Sequence, residues 1–488
     1  MIKKSKSEKG FTLIELLAVI VILAVIALIA TPIVFNTVET AKTGSIKSSA
    51  YGYLNAIEYY VATTYSDDNS TNDIPITGTF DYATNRTNIK IKGTQPTNVD
   101  ITLLNGKVMN GSITFNDYLV MISYGEVLEI AKGQDVLYTK TAKVYGVAFN
   151  GAAGARTDSA AGLTFTVNAS TITSAFDTVE IYNEIIEVTD TYGNVFVKIP
   201  KFYISKTKTG SNFTYKISKT KQDSTYYLPY GFYNEATSTD LPYILIGKYD
   251  ASLNGTKLES KTGKVSFVNQ TISTFRTYAK NSNISLIQGY QILDIHAIDI
   301  IQTLFYVEFA TLNSQSIMQG YTIASNTSAL LTGTTDSVVT ASGSPTSNNN
   351  GQYAMKYRGI ENLYGNIFQY IDGINIQNNQ TYIATNPSSY ASDTFSGAYN
   401  AIGYVNKNTN GYITEMGYDL NNPFSQLPIV TGTNTYGDYS LQATGNRIAM
   451  FGGCWNHGDY AGLSYWNLDN LSSEYNIAIG SRLVKKAL

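Results

Sequence analysis

Residues that commonly build reactive centres are scarce in this 488-residue chain. It contains one cysteine, Cys454, and two histidines, His296 and His457. A single cysteine excludes an intramolecular disulfide and a multi-cysteine zinc site. Two histidines argue against a histidine-rich metal centre. The sequence therefore assigns neither a metal nor a cofactor to the protein.

Charge is scarce as well. Charged residues make up 15% of the chain, and the net charge of −3 gives no electrostatic reason to expect a nucleic-acid partner. Hydrophobic residues make up 43%, which indicates a folded core rather than a disordered chain. The 39 tyrosines and 39 glycines are typical of β-rich extracellular modules with adaptable polar surfaces.

A single long apolar run lies near the N-terminus. Between Phe11 and Phe35 the only charged residue is Glu15, and a short lysine-rich leader precedes the run. About 20 consecutive apolar residues are enough to cross a bilayer as a helix. The basic leader predicts that the N-terminus stays in the cytoplasm. We therefore expect a transmembrane helix at residues 11–35.

Glu15 needs a partner, because a carboxylate within a membrane helix costs about 2.5–3.5 kcal/mol on insertion scales. The α-amino group of Phe11, exposed by cleavage after Gly10, could supply it from a neighbouring subunit. Residues 9–17 resemble the prepilin motif of type IV pilins and type II secretion pseudopilins. The resemblance implies cleavage between Gly10 and Phe11, N-methylation of Phe11, and a role in filament assembly for Glu15 and Pro32.

The resemblance also implies partners and a location. The partners are prepilin peptidase, the inner or cytoplasmic membrane before assembly, and other pilin subunits through the N-terminal helix. The protein is then expected as a single-pass protein of the cytoplasmic membrane that moves to an extracellular pilus at the cell surface.

The rest of the chain predicts an α+β protein. A leader (1–10) is followed by a pilin helix (11–64) packed on a small antiparallel β-domain (65–140). In that β-domain, Asn105-Gly106 and Asn110-Gly111 are expected as turns. A Gly/Ala/Ser/Thr-rich stretch (141–176) is expected as a partly ordered connector, with a glycine-rich β-segment as the alternative. A large α+β domain (177–488) completes the chain.

The large domain carries a second resemblance. Asn362, Gly365, Asn366 and Asp372-Gly373 are followed by Gly452-Gly453-Cys454-Trp455 and by a closing Ile479–Leu483 strand. This order is similar to the C-type-lectin-like fold of formylglycine-generating-enzyme relatives, phage tail tip proteins and the variable proteins of diversity-generating retroelements. We expect Arg482 to pair with Glu361 or Asp372.

An enzymatic role is not expected. Formylglycine-generating enzymes need a pair of active cysteines, whereas this chain has Cys454 alone. A packing role for Cys454 is favoured over a reactive thiol, although His457 lies close in sequence. Calcium is compatible with a lectin-like fold, but the acidic residues form no recognisable calcium loop.

The last strands and loops are rich in aromatic and small polar residues, which build adaptable binding surfaces. Both tryptophans of the chain lie there, with a core position favoured for Trp455 and an open choice for Trp466. Diversification of this region by a retroelement is a further hypothesis. The candidate ligand-binding residues are Trp455, Asn456, His457, Asp459, Tyr460, Tyr465, Trp466, Asn467, Asp469, Asn470 and Tyr475.

These patterns predict a minor, tip-located type IV pilin-like subunit that presents an adhesin domain to an unknown protein or glycan. A domain as large as residues 177–488 is hard to repeat at every position of a thin filament. One alternative is a structural pilin or minor pseudopilin of a type II secretion or DNA-uptake machine. The other is a surface enzyme of the formylglycine type.

Overall fold

The computed structural model describes residues 13–65, 78–104, 106–123, 125–132, 143–150, 153–209, 212–223, 225–284, 288–324, 328–405, 410–419, 422–432 and 437–488. Side chains are described from residue 37 onward, with gaps inside some strands. The chain divides into two compact units, Met1–Val136 and Leu137–Leu488. The expected leader, Gly10 and Phe11 lie outside the described residues, as do the side chains of Glu15 and Pro32.

The first unit contains the helix α1 (Leu13–Tyr65) and a five-stranded antiparallel sheet in chain order. Its remaining elements are α2 (Tyr82–Asn85), β1 (Gly78–Thr79), β2 (Asn98–Leu104), β3 (Lys107–Phe115), β4 (Tyr118–Ser123) and β5 (Glu126–Lys132). Within the described part of the chain, no helix combines the length and the apolar character needed to cross a membrane.

One face of the lower half of α1 forms the core of this unit. Ile46, Tyr53, Ile57 and Val61 are buried, and they pack against apolar side chains of the sheet. Their spacing of four or seven residues places them on the same side of the helix. The predicted packing of an amphipathic helix on a small antiparallel sheet is therefore present in the structure.

One of the two predicted hairpin turns of this sheet is wrong, whereas Gly106 lies in the tight turn between β2 and β3 with a positive φ of 78°, as expected. Asn110 and Gly111, expected as a turn, lie inside β3. Gly111 is needed there because a Cβ at this position would lie 2.0 Å from the carbonyl oxygen of Asp100. The turn between β3 and β4 is instead formed by Asn116 and Asp117, and Asn116 adopts a positive φ of 47°. Close backbone approach, which no local pattern reports, explains the difference.

The second unit is built from strands and two longer helices, α3 (Ile272–Lys280) and α4 (Ile295–Phe309). Its first strands are β6 (Val144–Phe149), β7 (Gly154–Asp158), β8 (Phe165–Val167), β9 (Thr171–Ser174), β10 (Ile186–Thr189), β11 (Val195–Pro200), β12 (Tyr203–Thr209), β13 (Asn212–Ser218), β14 (Tyr226–Tyr227), β15 (Tyr233–Asn234), β16 (Thr239–Asp240), β17 (Tyr243–Gly247), β18 (Ser252–Asn254), β19 (Lys257–Glu259) and β20 (Tyr290–Ile292). Those after α4 are β21 (Ser342–Gly343), β22 (Lys356–Tyr357), β23 (Ile360–Glu361), β24 (Phe368–Gln377), β25 (Gln380–Ile383), β26 (Asn400–Val405), β27 (Gly411–Asp419), β28 (Asn422–Gly432), β29 (Tyr439–Gln442), β30 (Asn446–Phe451), β31 (Trp466–Asn470), β32 (Ile479–Gly480) and β33 (Leu483–Lys486).

These strands form four larger sheets and two short hairpins, β15–β16 and β18–β19. The larger sheets have the orders β10-β11-β17-β33-β20, β14-β12-β13-β6-β7, β23-β22-β21-β9-β8 and β26-β25-β24-β30-β31-β29-β27-β28, the last with β32 paired to β24. Every residue of α4 is buried, so this helix lies at the centre of the unit. Together with the first unit, this arrangement confirms the α+β class.

The expected connector is part of the second unit. Residues 144–149 and 154–158 form β6 and β7, and β6 pairs with β13 along six residues. Residues 165–167 and 171–174 form a second hairpin in another sheet. The structure thus differs from the expected partly ordered connector and agrees with the β-segment alternative. Long-range pairing, rather than local composition, orders this stretch.

The C-terminal strand, β33, is an interior strand of its sheet. β33 lies between β17 and β20 and pairs antiparallel with both. Arg482, which immediately precedes β33, is fully buried. Its Nη2 lies 2.8 Å from Oδ1 of Asp250, and the guanidinium also donates to four backbone carbonyls, those of Gly247, Lys248, Glu361 and Asn362.

The expected partners of Arg482 are therefore corrected. Asp372 forms a two-pronged ion pair with Arg276 instead, at 2.8 and 2.9 Å. The Glu361 carboxylate accepts hydrogen bonds from the backbone N–H groups of Gly333 and Thr335. Asp250 lies far from the C-terminal motifs in sequence, so no local pattern indicated it as the counter-ion of Arg482.

Candidate ligand-binding surface

The candidate surface is centred on the loop of residues 452–465, which joins β30 to β31. Its backbone is held by the segment that follows α4. The N–H of Ala324 donates to the carbonyl of Trp455 over 2.7 Å, and the N–H of Gly458 donates to that of Thr322 over 2.9 Å. The Gln315 side chain also donates to the Gly458 carbonyl, over 2.8 Å. The loop therefore presents its exposed residues from a fixed backbone.

Packing inside the loop requires glycine at one position in particular. Gly462 has a φ of +154°, and a Cβ there would lie 2.2 Å from Oδ1 of Asp438. The carboxyl of Asp438 accepts a hydrogen bond from the N–H of Ser464 at 2.5 Å. This contact ties the end of the loop to the start of β29.

Three tyrosines and one carboxylate form a cluster on the outside of this loop, which we call the tyrosine patch: Tyr412, Tyr439, Asp459 and Tyr460. Tyr439 and Tyr460 stack with ring centroids 4.5 Å apart, and Tyr412 meets both rings edge-on at 5.3 and 5.4 Å. Tyr460 is 40% exposed and Asp459 is exposed, whereas the other two rings are half-buried.

The strand register explains why these residues meet. Tyr412 in β27 lies directly opposite Tyr439 in β29, and β29 runs parallel to β31, which follows the loop. The short 3₁₀ turn Gly458–Tyr460 then places Asp459 and Tyr460 over the two strands. Stacked aromatic rings supply rigid contact area, and a neighbouring carboxylate supplies hydrogen-bond acceptors.

Asp459 also changes the chemistry of Tyr412. Partial desolvation, the hydrogen bond to the Asp459 carboxylate and the negative charge of that carboxylate raise the pKa of Tyr412 to about 12. The phenol of Tyr412 is thus a hydrogen-bond donor across the whole physiological pH range. The patch presents aromatic faces, phenolic hydroxyls and one carboxylate.

The structure places several predicted binding residues in the core rather than on the surface. Tyr465 and Trp466 have no exposed area, and Trp455 and Asn467 are also buried. Trp466 packs edge-on against Phe451 at a centroid distance of 5.2 Å. Burial removes these four residues from direct contact with a ligand, which corrects their selection as binding candidates.

The remaining predicted residues are spread over the end of the chain. Asn456, Asp459, Tyr460 and Tyr475 are exposed, whereas His457, Asp469 and Asn470 are half-buried. Asn470 donates to Oδ1 of Asp469 over 2.8 Å at the end of β31. Only Asp459 and Tyr460 of the predicted residues belong to the tyrosine patch.

Cys454 and His457 are in contact, with Sγ 3.0 Å from Nδ1. Burial raises the pKa of the Cys454 thiol to about 11, and burial lowers the pKa of His457. Both shifts favour a neutral thiol beside a neutral imidazole, and the thiol also donates to Oδ1 of Asn456 over 3.2 Å. Both groups are therefore held in their neutral forms near pH 7.

Sequence reasoning missed Tyr412, Tyr439 and the buried acid Asp438. Burial raises the pKa of Asp438 well above its usual range, and the Ser464 hydrogen bonds only partly offset this effect. Its Oδ1 has no hydrogen-bond partner among the described residues. The alternation of side chains along a strand could have indicated that Tyr439 points away from its neighbour Asp438. The contact between Tyr439 and Tyr412 could not be predicted without the strand order.

The described residues contain no clustered metal ligands. No group of three or more histidine, cysteine, aspartate or glutamate side chains that could hold a metal ion occurs among the described residues. The carboxylate of Asp459 is the only acidic group of the tyrosine patch.

Comparisons with known proteins give one family match and several structural ones. The family described as the prokaryotic N-terminal methylation motif matches residues 5–31. A comparison with curated proteins gives no match. Among solved structures, the Major Tropism Determinant M1 variant is 10% identical, with 78% of this chain and 81% of that chain covered and a TM-score of 0.26. The U1 and I1 variants are each 10% identical to this chain. Each match covers 80% of this chain and 92% of the variant, with a TM-score of 0.23.

Proposed function

We propose that this protein is a minor, tip-located subunit of a type IV pilus-like filament, and that its second unit is a C-type-lectin-like domain that binds a surface ligand. The observation that carries the proposal is the N-terminal segment. A methylation motif at residues 5–31 overlaps α1, and α1 continues into a small β-unit that is followed by a second compact unit.

The N-terminal segment would act as in a pilin. Prepilin peptidase cuts after Gly10, the new amine of Phe11 is methylated, and residues 11–35 hold the subunit in the cytoplasmic membrane until assembly. Glu15 pairs with the Phe11 amine of a neighbouring subunit, because a carboxylate in an apolar environment needs an opposite charge. Pro32 removes one backbone donor and loosens the helix at that depth.

The second unit would act as the display domain. The closure of its first sheet by β33 and the buried Arg482 support the C-type-lectin-like reading, because both tie the C-terminal motif to the beginning of the domain. The tyrosine patch is the proposed contact surface, since its Asp459 and Tyr460 are exposed on a loop whose backbone is fixed by hydrogen bonds. Fixed aromatic side chains lose little conformational entropy on binding.

Binding rather than catalysis is the proposed activity. The one cysteine is buried, and its raised thiol pKa keeps it protonated. A Cys454→Ser variant should therefore bind ligand as the native protein does. If that variant lost turnover on any substrate of the native protein, a catalytic thiol would replace the binding proposal.

Immunogold labelling of sheared filaments with an antibody against residues 137–488 tests the location. Label at one end of each filament is the expected result. Label along the whole shaft would make the protein a major structural subunit and overturn the tip position. A strain carrying Gly10→Lys is the matched control, because blocked processing should leave the protein in the membrane fraction and the filaments unlabelled.

A further inference from the structure

Lys206 and Asp299 form a buried pair at the centre of the second unit. Lys206 lies in β12 and Asp299 lies in α4, and their side chains are 0% and 1% exposed. The Lys206 ammonium nitrogen is in direct contact with Oδ1 of Asp299. The two residues are 93 positions apart in sequence, so the contact joins two distant elements of the fold.

Two tyrosines define the surroundings of the pair. The hydroxyl of Tyr227 donates to the other carboxylate oxygen, Oδ2, over 2.7 Å. The ring of Tyr215, which lies opposite Lys206 on β13, is centred 5.9 Å from Nζ. The Asp299 carboxylate therefore contacts Lys206 through Oδ1 and Tyr227 through Oδ2.

Burial favours the neutral form of both side chains. It lowers the pKa of Lys206, and the nearby carboxylate only partly compensates. It also raises the pKa of Asp299 to about 6 against the opposing effects of Lys206 and Tyr227. Both shifts favour the neutral amine and the neutral acid, and these are the forms between which an amide can form.

We propose that Lys206 and Asp299 condense to an intramolecular amide that links β12 to α4. The lone pair of Nζ attacks Cγ of Asp299, the Cγ–Oδ2 bond breaks, and Oδ2 leaves as water. Tyr227 passes a proton to Oδ2 and regains one from the nitrogen, so that the amine and the acid give one amide and one water without an oxidant or other co-reactant.

The energetics follow from the fixed geometry. Condensation is unfavourable for separate amines and acids in water, but well-oriented groups reach effective concentrations of roughly 10⁵–10⁸ M. Release of water from a closed core also removes the product that would reverse the reaction. A covalent link across many residues would restrict the unfolded chain as a disulfide does, in a protein that has none. The inference does not depend on the proposed function.

Peptide mapping of the full-length native protein by mass spectrometry tests the link. The expected product is a branched peptide, lighter by one water than its two parts, in which trypsin has failed to cut after Lys206. Recovery of Lys206 and Asp299 in separate, unmodified peptides from the folded native protein would overturn the proposal. The measurement needs no variant, so misfolding of a mutant cannot obscure the result.

A half-buried pair in the same unit provides the matched control. Lys201 and Asp240 lie 2.9 Å apart with side chains 33% and 26% exposed, so water competes for the carboxylate. These two should give separate peptides. A link at both pairs would mean that condensation occurred during sample handling, and it would overturn the assignment.

Two variants examine the chemistry. Lys206→Arg keeps the positive charge but cannot form this amide, so the branched peptide should be absent. Tyr227→Phe keeps the ring but removes the proton donor, so freshly purified protein should contain a measurable fraction of unlinked chains. Complete linkage in Tyr227→Phe would exclude the proton-transfer role of Tyr227.

Discussion

The hydroxyl of Tyr412 donates a hydrogen bond to Oδ2 of Asp459 over 2.8 Å, although the two residues are 47 positions apart in sequence. This contact fixes the carboxylate beside the stacked rings of Tyr439 and Tyr460. The acceptor and the aromatic faces of the tyrosine patch are thus held in one arrangement before any ligand arrives. Such preorganisation lowers the entropy that binding must overcome.

Tyr460→Ala should weaken binding of the full chain to its target by roughly 30-fold, because an aromatic side chain at the centre of an interface is worth about 2 kcal/mol. The measurement is the apparent affinity for the surface or array spot that captures the native protein. Tyr59→Ala is the control, since Tyr59 is 73% exposed and belongs to the first unit. Equal losses in both variants would exclude the patch as the binding site.

Asp459→Asn should lower the pKa of Tyr412 from about 12 towards the usual value near 10. The carboxylate raises this pKa by accepting a hydrogen bond from the phenol and by opposing the phenolate charge, and an amide does neither as strongly. Titration of ¹³C-labelled tyrosine by NMR, with Tyr412→Phe to assign the signal, gives the value. An unchanged pKa would show that the contact is absent in solution.

Trp466→Ala should destabilise the second unit by about 3–5 kcal/mol, because removal of a fully buried indole leaves a large cavity. Trp466→Phe should cost less, since Phe refills part of the volume beside Phe451. Denaturant unfolding measures both. Tyr460→Ala should change the unfolding free energy by less than about 0.5 kcal/mol, as expected for a surface residue. If the Trp466→Ala protein were as stable as the native protein but had lost binding, Trp466 would be a ligand-contact residue instead of a core residue.

Asp438 should make the second unit less stable as the pH rises. Its pKa is raised in the folded protein, so the folded state keeps a proton that the unfolded chain releases above about pH 4. The unfolding free energy should therefore fall from about pH 4 upward until the folded group itself ionises. Asp438→Asn, which is neutral throughout, should lack this part of the slope when unfolding is measured between pH 4.5 and 7.5. If the unfolding free energy depended on pH equally in both proteins, Asp438 would be ionised in the folded state, which would contradict the prediction.

The sequence predicted those helices and strands that are determined by residues close together in the chain. The helix expected within residues 11–64 and packed on a small sheet is found in α1, whose buried face includes Ile46, Tyr53 and Ile57. The helix α4 ends at Phe309 because Ala310 adopts a left-handed conformation, with a φ of 53°, that nothing in its residue type indicates. The polar composition of residues 141–176 likewise concealed strands whose partners lie far along the chain.

The candidate site could be predicted only in part for the same reason. Asp459 and Tyr460 stand out by composition, but Tyr412 and Tyr439 reach them through the register of β27 and β29 and the parallel pairing of β29 with β31. A sequence of alternating strands does not specify which strands become neighbours. Composition also cannot separate an aromatic residue that faces the core, such as Trp466, from one that faces solvent, because both occur in the same stretch.

The position of β33 has a consequence for synthesis of the protein. This strand is made after β17 and β20, yet it lies between them inside a sheet. That sheet cannot complete its hydrogen bonds, and Arg482 cannot neutralise Asp250, until residues 482–486 have emerged from the ribosome. Until then, β17 and β20 lack the strand that joins them, and the buried acid lacks its counter-ion. Closure of this sheet is therefore a late step in the synthesis of the second unit.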